Sequence, residues 1–160
     1  MASEKLFDKA VLDVVQGDKL GPMFGKIGPS ATAAQMIPGR VVCYDTYDKS
    51  VKECGAIDIS GNTAVPIGIL GYEKTPLAYK PATKDTAYAV GDHVAIHNTP
   101  GMRFRGWLAT GLTVVPGTAL KVTANGIMTS CTAATDPVNA IALEGLSSSG
   151  TTAVWMQWRG

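Results

Sequence analysis

Three cysteines in 160 residues, Cys43, Cys54 and Cys131, make an odd count with no C-x-x-C spacing. That argues against a disulfide framework and against a zinc site. A single Cys43–Cys54 bridge across a hairpin is geometrically conceivable, while reduced buried cysteine is the commoner state. Charge is scarce as well: charged residues are 17% of the chain, and Lys+Arg 14 against Asp+Glu 13 leaves a net charge of +1. Without a basic stripe, nucleic acid is not an expected partner. No apolar run approaches the ~20 residues of a membrane-spanning helix. Glu4, Asp8 and Asp13 occupy the region where a signal peptide would be apolar. The expectation is a soluble protein made in the cytosol, with no membrane partner.

Histidine is limited to His93 and His97. On a helix, H-x-x-x-H would aim both rings at one metal. Here Val94 and Ile96 alternate with them as in a strand, which sets the rings roughly 13 Å apart, too far to share an ion. Both are expected at a surface or interface. Asp92 beside His93 points to the opposite strand face and does not orient it. Gly145-Leu-Ser-Ser-Ser-Gly150 lacks the spacing of a nucleophile elbow. Gly21-Pro-Met-Phe-Gly25-Lys26 is one residue short of a phosphate-binding loop and has Ile27 where a metal-binding hydroxyl belongs. The carboxylates show no calcium-loop spacing. The reading is a non-enzyme with no cofactor and no metal; a small hydrolase would need a hidden arrangement such as His93 with Ser147 and an acid.

What the chain has is turn punctuation, with 18 Gly and 9 Pro, and 46% hydrophobic residues. That suits a single domain of many short strands and excludes a helical bundle. Ala119–Val122 faces Ile127–Ser130 across Asn125-Gly126, and Asn-Gly is the strongest short hairpin signal because both residues tolerate positive φ. Asn139–Leu143 pairs with Thr152–Trp158 in the same reading. Further strands are read at Arg40–Tyr44, Ser50–Glu53, Ala64–Leu70, Ala87–Val90, His93–His97, Arg103–Ala109 and Leu112–Val115, about ten in all. Pro66 puts its segment at a sheet edge or a strand start.

Ser3–Val15 has a capping serine, an acid in its first turn, and Leu6, Phe7, Ala10, Val11 and Val14 on one face, so it reads as a helix. Two roles stand for it: a surface helix on the β-core, or an arm that orders on a partner. Gln16–Gly39 is dense in Gly and Pro and is expected to be irregular. The chain therefore divides into 1–39, a helix and Gly/Pro-rich arm, and 40–160, a β-barrel-like domain. Residues 1–39 are expected to contribute more to partner binding than to the fold. In Thr152–Trp158, Val154, Met156 and Trp158 alternate with Ala153, Trp155 and Gln157. A strand apolar on both faces is buried on both, and a subunit contact through one tryptophan is expected.

Asp85–His97 and Pro116–Met128, followed by Ala140-Ile-Ala-Leu-Glu144, Gly150 and Ala153–Met156, resemble the capsid cement, or head decoration, proteins of tailed double-stranded DNA viruses. The resemblance spans about Arg40 to Trp158, and the extension 1–39 and the Asn98–Ala109 insertion depart from it. It implies a mainly β, small β-barrel or β-tulip-like module, a virion protein made in the host cytoplasm and placed on the outer capsid surface. Its implied partners are the major capsid protein and its own copies, a homotrimer being favoured. On this reading Leu6, Phe7, Val11, Phe24, Arg103, Phe104, Trp107 and Trp155 are the partner-binding candidates. The alternative is a carbohydrate- or receptor-binding β-module using Tyr72, Tyr79, Tyr88 and Trp107.

Overall fold

The computed structural model describes residues 14–44, 51–53, 65–72, 83–147, 149–150 and 152–160. Its strands are β1 (Val15–Gln16), β2 (Met23–Lys26), β3 (Val41–Tyr44), β4 (Val51–Glu53), β5 (Gly68–Leu70), β6 (His93–His97), β7 (Arg103–Leu108), β8 (Thr113–Val114), β9 (Ala119–Val122), β10 (Met128–Ser130), β11 (Ala140–Ala142), β12 (Leu146–Ser147) and β13 (Thr152–Trp158). The mainly β expectation holds. The residues of the expected N-terminal helix lie almost wholly outside the described ones, and its last position, Val15, is in a strand.

A closed five-stranded barrel runs β7-β10-β9-β11-β13 and returns to β7, with β1 added beside the start of β7. The closing seam is the longest ladder, Thr152↔Leu108 through Gln157↔Arg103. Closure removes the open edges that a flat sheet would present. The expected hairpin is present, with Met128↔Val122, Thr129↔Lys121 and Ser130↔Leu120 in register. Its turn has Asn125 at φ 62 and Gly126 at φ 67, the left-handed pair the Asn-Gly signal requires. A short ribbon of β8 and β12 lies apart from the barrel ladder.

The second sheet is open and antiparallel, in the order β2-β6-β5-β3-β4. Its middle strands explain the continuous apolar runs of the sequence. Val41, Cys43 and Ile69 face the barrel core of Phe104, Leu108, Leu120, Met128, Met156 and Trp158. Val42, Leu70, Val94 and Ile96 face a second core with Ile27, Ala31, Met36 and Tyr88. Strands covered on both sides lose the alternation of half-exposed ones.

The stretch 16–39, expected to be irregular, thus supplies a strand and three core side chains. Met23-Phe-Gly-Lys26 has no β-branched residue, and its strand conformation is set by the β6 ladder rather than by propensity. Ala87–Val90, expected as a strand, instead caps the second core: the Tyr88 N–H donates to Met36 O at 2.9 Å. Side-chain hydrogen bonds fasten the two sheets together. Arg40 Nη1 donates to Asn125 O at 2.8 Å and also bonds Gln35, and Trp107 Nε1 donates to Pro38 O at 2.8 Å. Gly39 and Gly126, both at positive φ, allow it, since a Cβ would lie 2.1 Å from Arg105 O and 2.2 Å from Val41 O.

Candidate partner-binding surface

Strand β7 alternates Arg103, Arg105 and Trp107 outward with Phe104, Gly106 and Leu108 inward, and β13 alternates in step. Register sets Trp107 opposite Ala153, Arg105 opposite Trp155, and Arg103 opposite Gln157 on the outer wall of the barrel. Three sequence candidates, Arg103, Trp107 and Trp155, therefore share one face. Arg105, which sequence reasoning passed over, is their centre. Its guanidinium carbon lies 5.7 Å from the Trp107 ring centroid, and Nη1 reaches Asp85 Oδ1 at 3.2 Å. Its signal was available, because the R-x-R spacing of Arg103 and Arg105 puts both on one strand face. Stacked guanidinium and indole groups form an amphipathic surface suited to protein contacts.

Phe104 differs from expectation. It is completely buried, and its ring meets Trp158 edge-on with centroids 6.0 Å apart and planes at 82°. It is a core residue, because the outward charges on either side of it turn it inward. Trp158 is likewise core, while Trp155 is half-buried on the outer wall, so the two tryptophans of β13 take different environments as the alternation requires. Phe24 lies on the other sheet, 45% exposed on strand β2. Leu6, Phe7 and Val11 lie outside the described residues, as does Tyr79. Of the aromatics named for glycan binding, Tyr88 is buried with its hydroxyl donating to Gly71 O at 2.9 Å. Trp107 spends its N–H on Pro38.

His93 is at the surface as expected, and His97 departs from that expectation. His97 is buried, its Nδ1 2.6 Å from Asp18 Oδ2, with Thr99 Oγ1 donating to the other carboxylate oxygen. A carboxylate only accepts, so Nδ1 carries the shared proton. Burial pushes the Asp18 carboxyl up; the bonds from Thr99 and His97, the His97 charge and the Leu20 N–H together hold it below its ordinary range. This cluster clamps the β1–β2 connection to the end of β6 and the start of the β6–β7 connection, where the chain passes between the barrel and the open sheet. No sequence signal marks it, since Asp18 and His97 are distant in the chain.

Asp136 is held well below the usual carboxylate range by the Ala133 N–H, the Lys121 ammonium at 2.9 Å and the Thr132 N–H. It organises the 132–136 turn. Burial and the Asp136 charge push the nearby Cys131 thiol up, against the opposing Lys121. Cys43 is buried in the barrel-facing core as a thiol and not in a disulfide. Among the described residues, no group of three or more His, Cys, Asp or Glu side chains is placed to hold a metal ion.

No family model matches the chain, and no curated protein matches it. Among solved structures, it is similar to the N base of the head fiber protein gp8.5 of bacteriophage phi29, with a TM-score of 0.46 and 11% identity over 86% of this chain and 92% of that one. A likeness of that degree carries no argument about function.

Proposed function

We propose that this chain is a structural protein of a tailed-virus virion that binds the outer surface of the capsid and stabilises the shell. The observation that carries the reading is how the segments resembling cement proteins sit in the fold. Asp85–His97 ends in β6, Pro116–Met128 contains β9 and its Asn-Gly turn, and Ala140–Glu144 with Ala153–Met156 contains the β11–β13 pair. They are framework rather than the rim of a cleft, as suits a protein whose product is a rigid surface. The Arg-Trp face of β7 and β13 supports the same reading, because it offers amphipathic contact area on an inflexible wall.

On this reading the partner is the major capsid protein, and the copies associate with one another, a trimer being the number the resemblance favours. Many modest contacts summed over a symmetric shell give firm attachment through multivalency. Neither catalysis nor nucleic-acid or membrane binding enters the proposal. The test is to add purified protein to expanded heads that lack it and to sediment the mixture. Saturable binding at a fixed ratio to the shell subunit is expected; failure to co-sediment would overturn the reading.

A further inference from the structure

The outer edge of the open sheet gathers three exposed large apolar side chains within five residues of chain. Leu20 is 80% exposed, Met23 38% and Phe24 45%, and the last two belong to edge strand β2. Hydrogen-bond parity tells which way the backbone of β2 points. The Ile27 N–H donates to Asp92 O at 2.9 Å, so alternation turns Gly25 and Met23 toward β6 as well. The opposite side of β6 agrees: Gly71 N–H donates to Ala95 O at 2.9 Å, which commits Ala95 to β5 and leaves Val94 and Ile96 for β2. The N–H and C=O groups of Phe24 and Lys26 therefore face away from the sheet, and no described strand lies beyond them.

We propose that β2 is a strand-addition site that takes an extended segment of the shell protein. The inference rests on the capsid-binding reading above. Outward amides in strand geometry are satisfied by another strand, and the exposed Phe24 ring adds an apolar anchor beside them. Charge chooses the occupant. Lys19 and Lys26 are exposed, and so is His93, directly opposite Lys26. Of the nearby acids, Asp18 is buried against His97, and Asp92 is turned back into its own chain, accepting from the Ala89 N–H at 2.8 Å. A second copy of this chain would bring like charges together, whereas a segment with an apolar residue opposite Phe24 and a carboxylate beside Lys26 complements the edge. Pro22 and the short strand confine pairing to one segment, which guards against run-on association.

The test uses the full chain and expanded heads that lack it. Phe24→Pro deletes one outward N–H while sparing every bond to β6, a change that edge strands tolerate; Lys26→Glu reverses the charge. Both variants should keep the wild-type circular dichroism and bind heads at least about 10-fold more weakly, the effect of about 1.4 kcal/mol. Independently of either variant's folding, a photo-crosslinking residue at position 24 should join the chain to the shell subunit. If wild type binds heads and both folded variants bind equally well, or if position 24 links only to a second copy, strand addition is overturned while capsid binding stands. If wild type does not bind heads, both readings fall.

Discussion

Replacing Trp158 with alanine is expected to cost far more stability than replacing Trp155, although both lie on β13. Trp158 is 1% exposed and fills the barrel core against Phe104, Leu120 and Ala140. Removing a buried indole forfeits its transfer free energy and leaves a cavity, about 3–5 kcal/mol in comparable cores. The edge-on contact with Phe104 is part of that loss. For a chain of this length each kcal/mol lowers the melting midpoint by about 2–4 °C, so Trp158→Ala should melt roughly 6–20 °C early. Against a total stability of about 5–15 kcal/mol, the loss ranges from about a fifth of the total to nearly all of it. The half-buried Trp155 lies outside the barrel, and Trp155→Ala should cost about 1 kcal/mol or less in the isolated chain while weakening oligomer or capsid contacts. Thermal unfolding followed by circular dichroism, with chemical denaturation as a check, reads both. Equal losses, or a larger loss from Trp155→Ala, would refute the barrel assignment of β13.

The Asp18 carboxyl titrates below its unfolded value of about 3.9, so its stabilisation is complete above that pH and is lost as pH falls through the folded value. Asp18→Asn should lower stability at neutral pH and flatten the acid limb of a pH–stability curve; an unchanged limb would show the His97 clamp to be idle. Gly126→Ala puts a Cβ 2.2 Å from Val41 O at a left-handed φ, and an expected cost of about 2–4 kcal/mol is measurable by denaturant titration. Deleting residues 1–38 removes β2 with the core side chains Ile27 and Met36. The truncated chain should be unfolded or insoluble, contrary to the expectation drawn from its Gly/Pro content, and a soluble, cooperatively melting product would restore that expectation.

Much of the barrel was legible because local rules sufficed. The Asn-Gly turn needs only two residues that accept positive φ, and the β13 alternation of Val154, Met156 and Trp158 needs only the two-residue repeat of a strand. Phe104 was legible too, since its flanking arginines turn it inward, but the reading that grouped it with Trp107 on the surface ignored that parity. Strand β2 was hidden because Met23-Phe-Gly-Lys26 has Phe24 as its one strand-favouring residue and takes its form from β6, far along the chain. The Asp18–His97–Thr99 cluster was out of reach for the same reason, since its members meet only after the two sheets are assembled. On the candidate surface, strand spacing contained the side-by-side placement of Arg103, Arg105 and Trp107. Their meeting with Trp155 depends on the register that closes the barrel, which no local pattern specifies.

The central claim is that this chain coats a capsid, and direct imaging of heads with and without it tests that most sharply. Reconstructions of expanded heads saturated with the protein should show added density at regularly repeated sites on the outer shell. The five-stranded barrel should fit that density, and heads lacking the protein should be bare there. Density confined to the tail or to the interior, or no ordered density at saturation, would contradict the account.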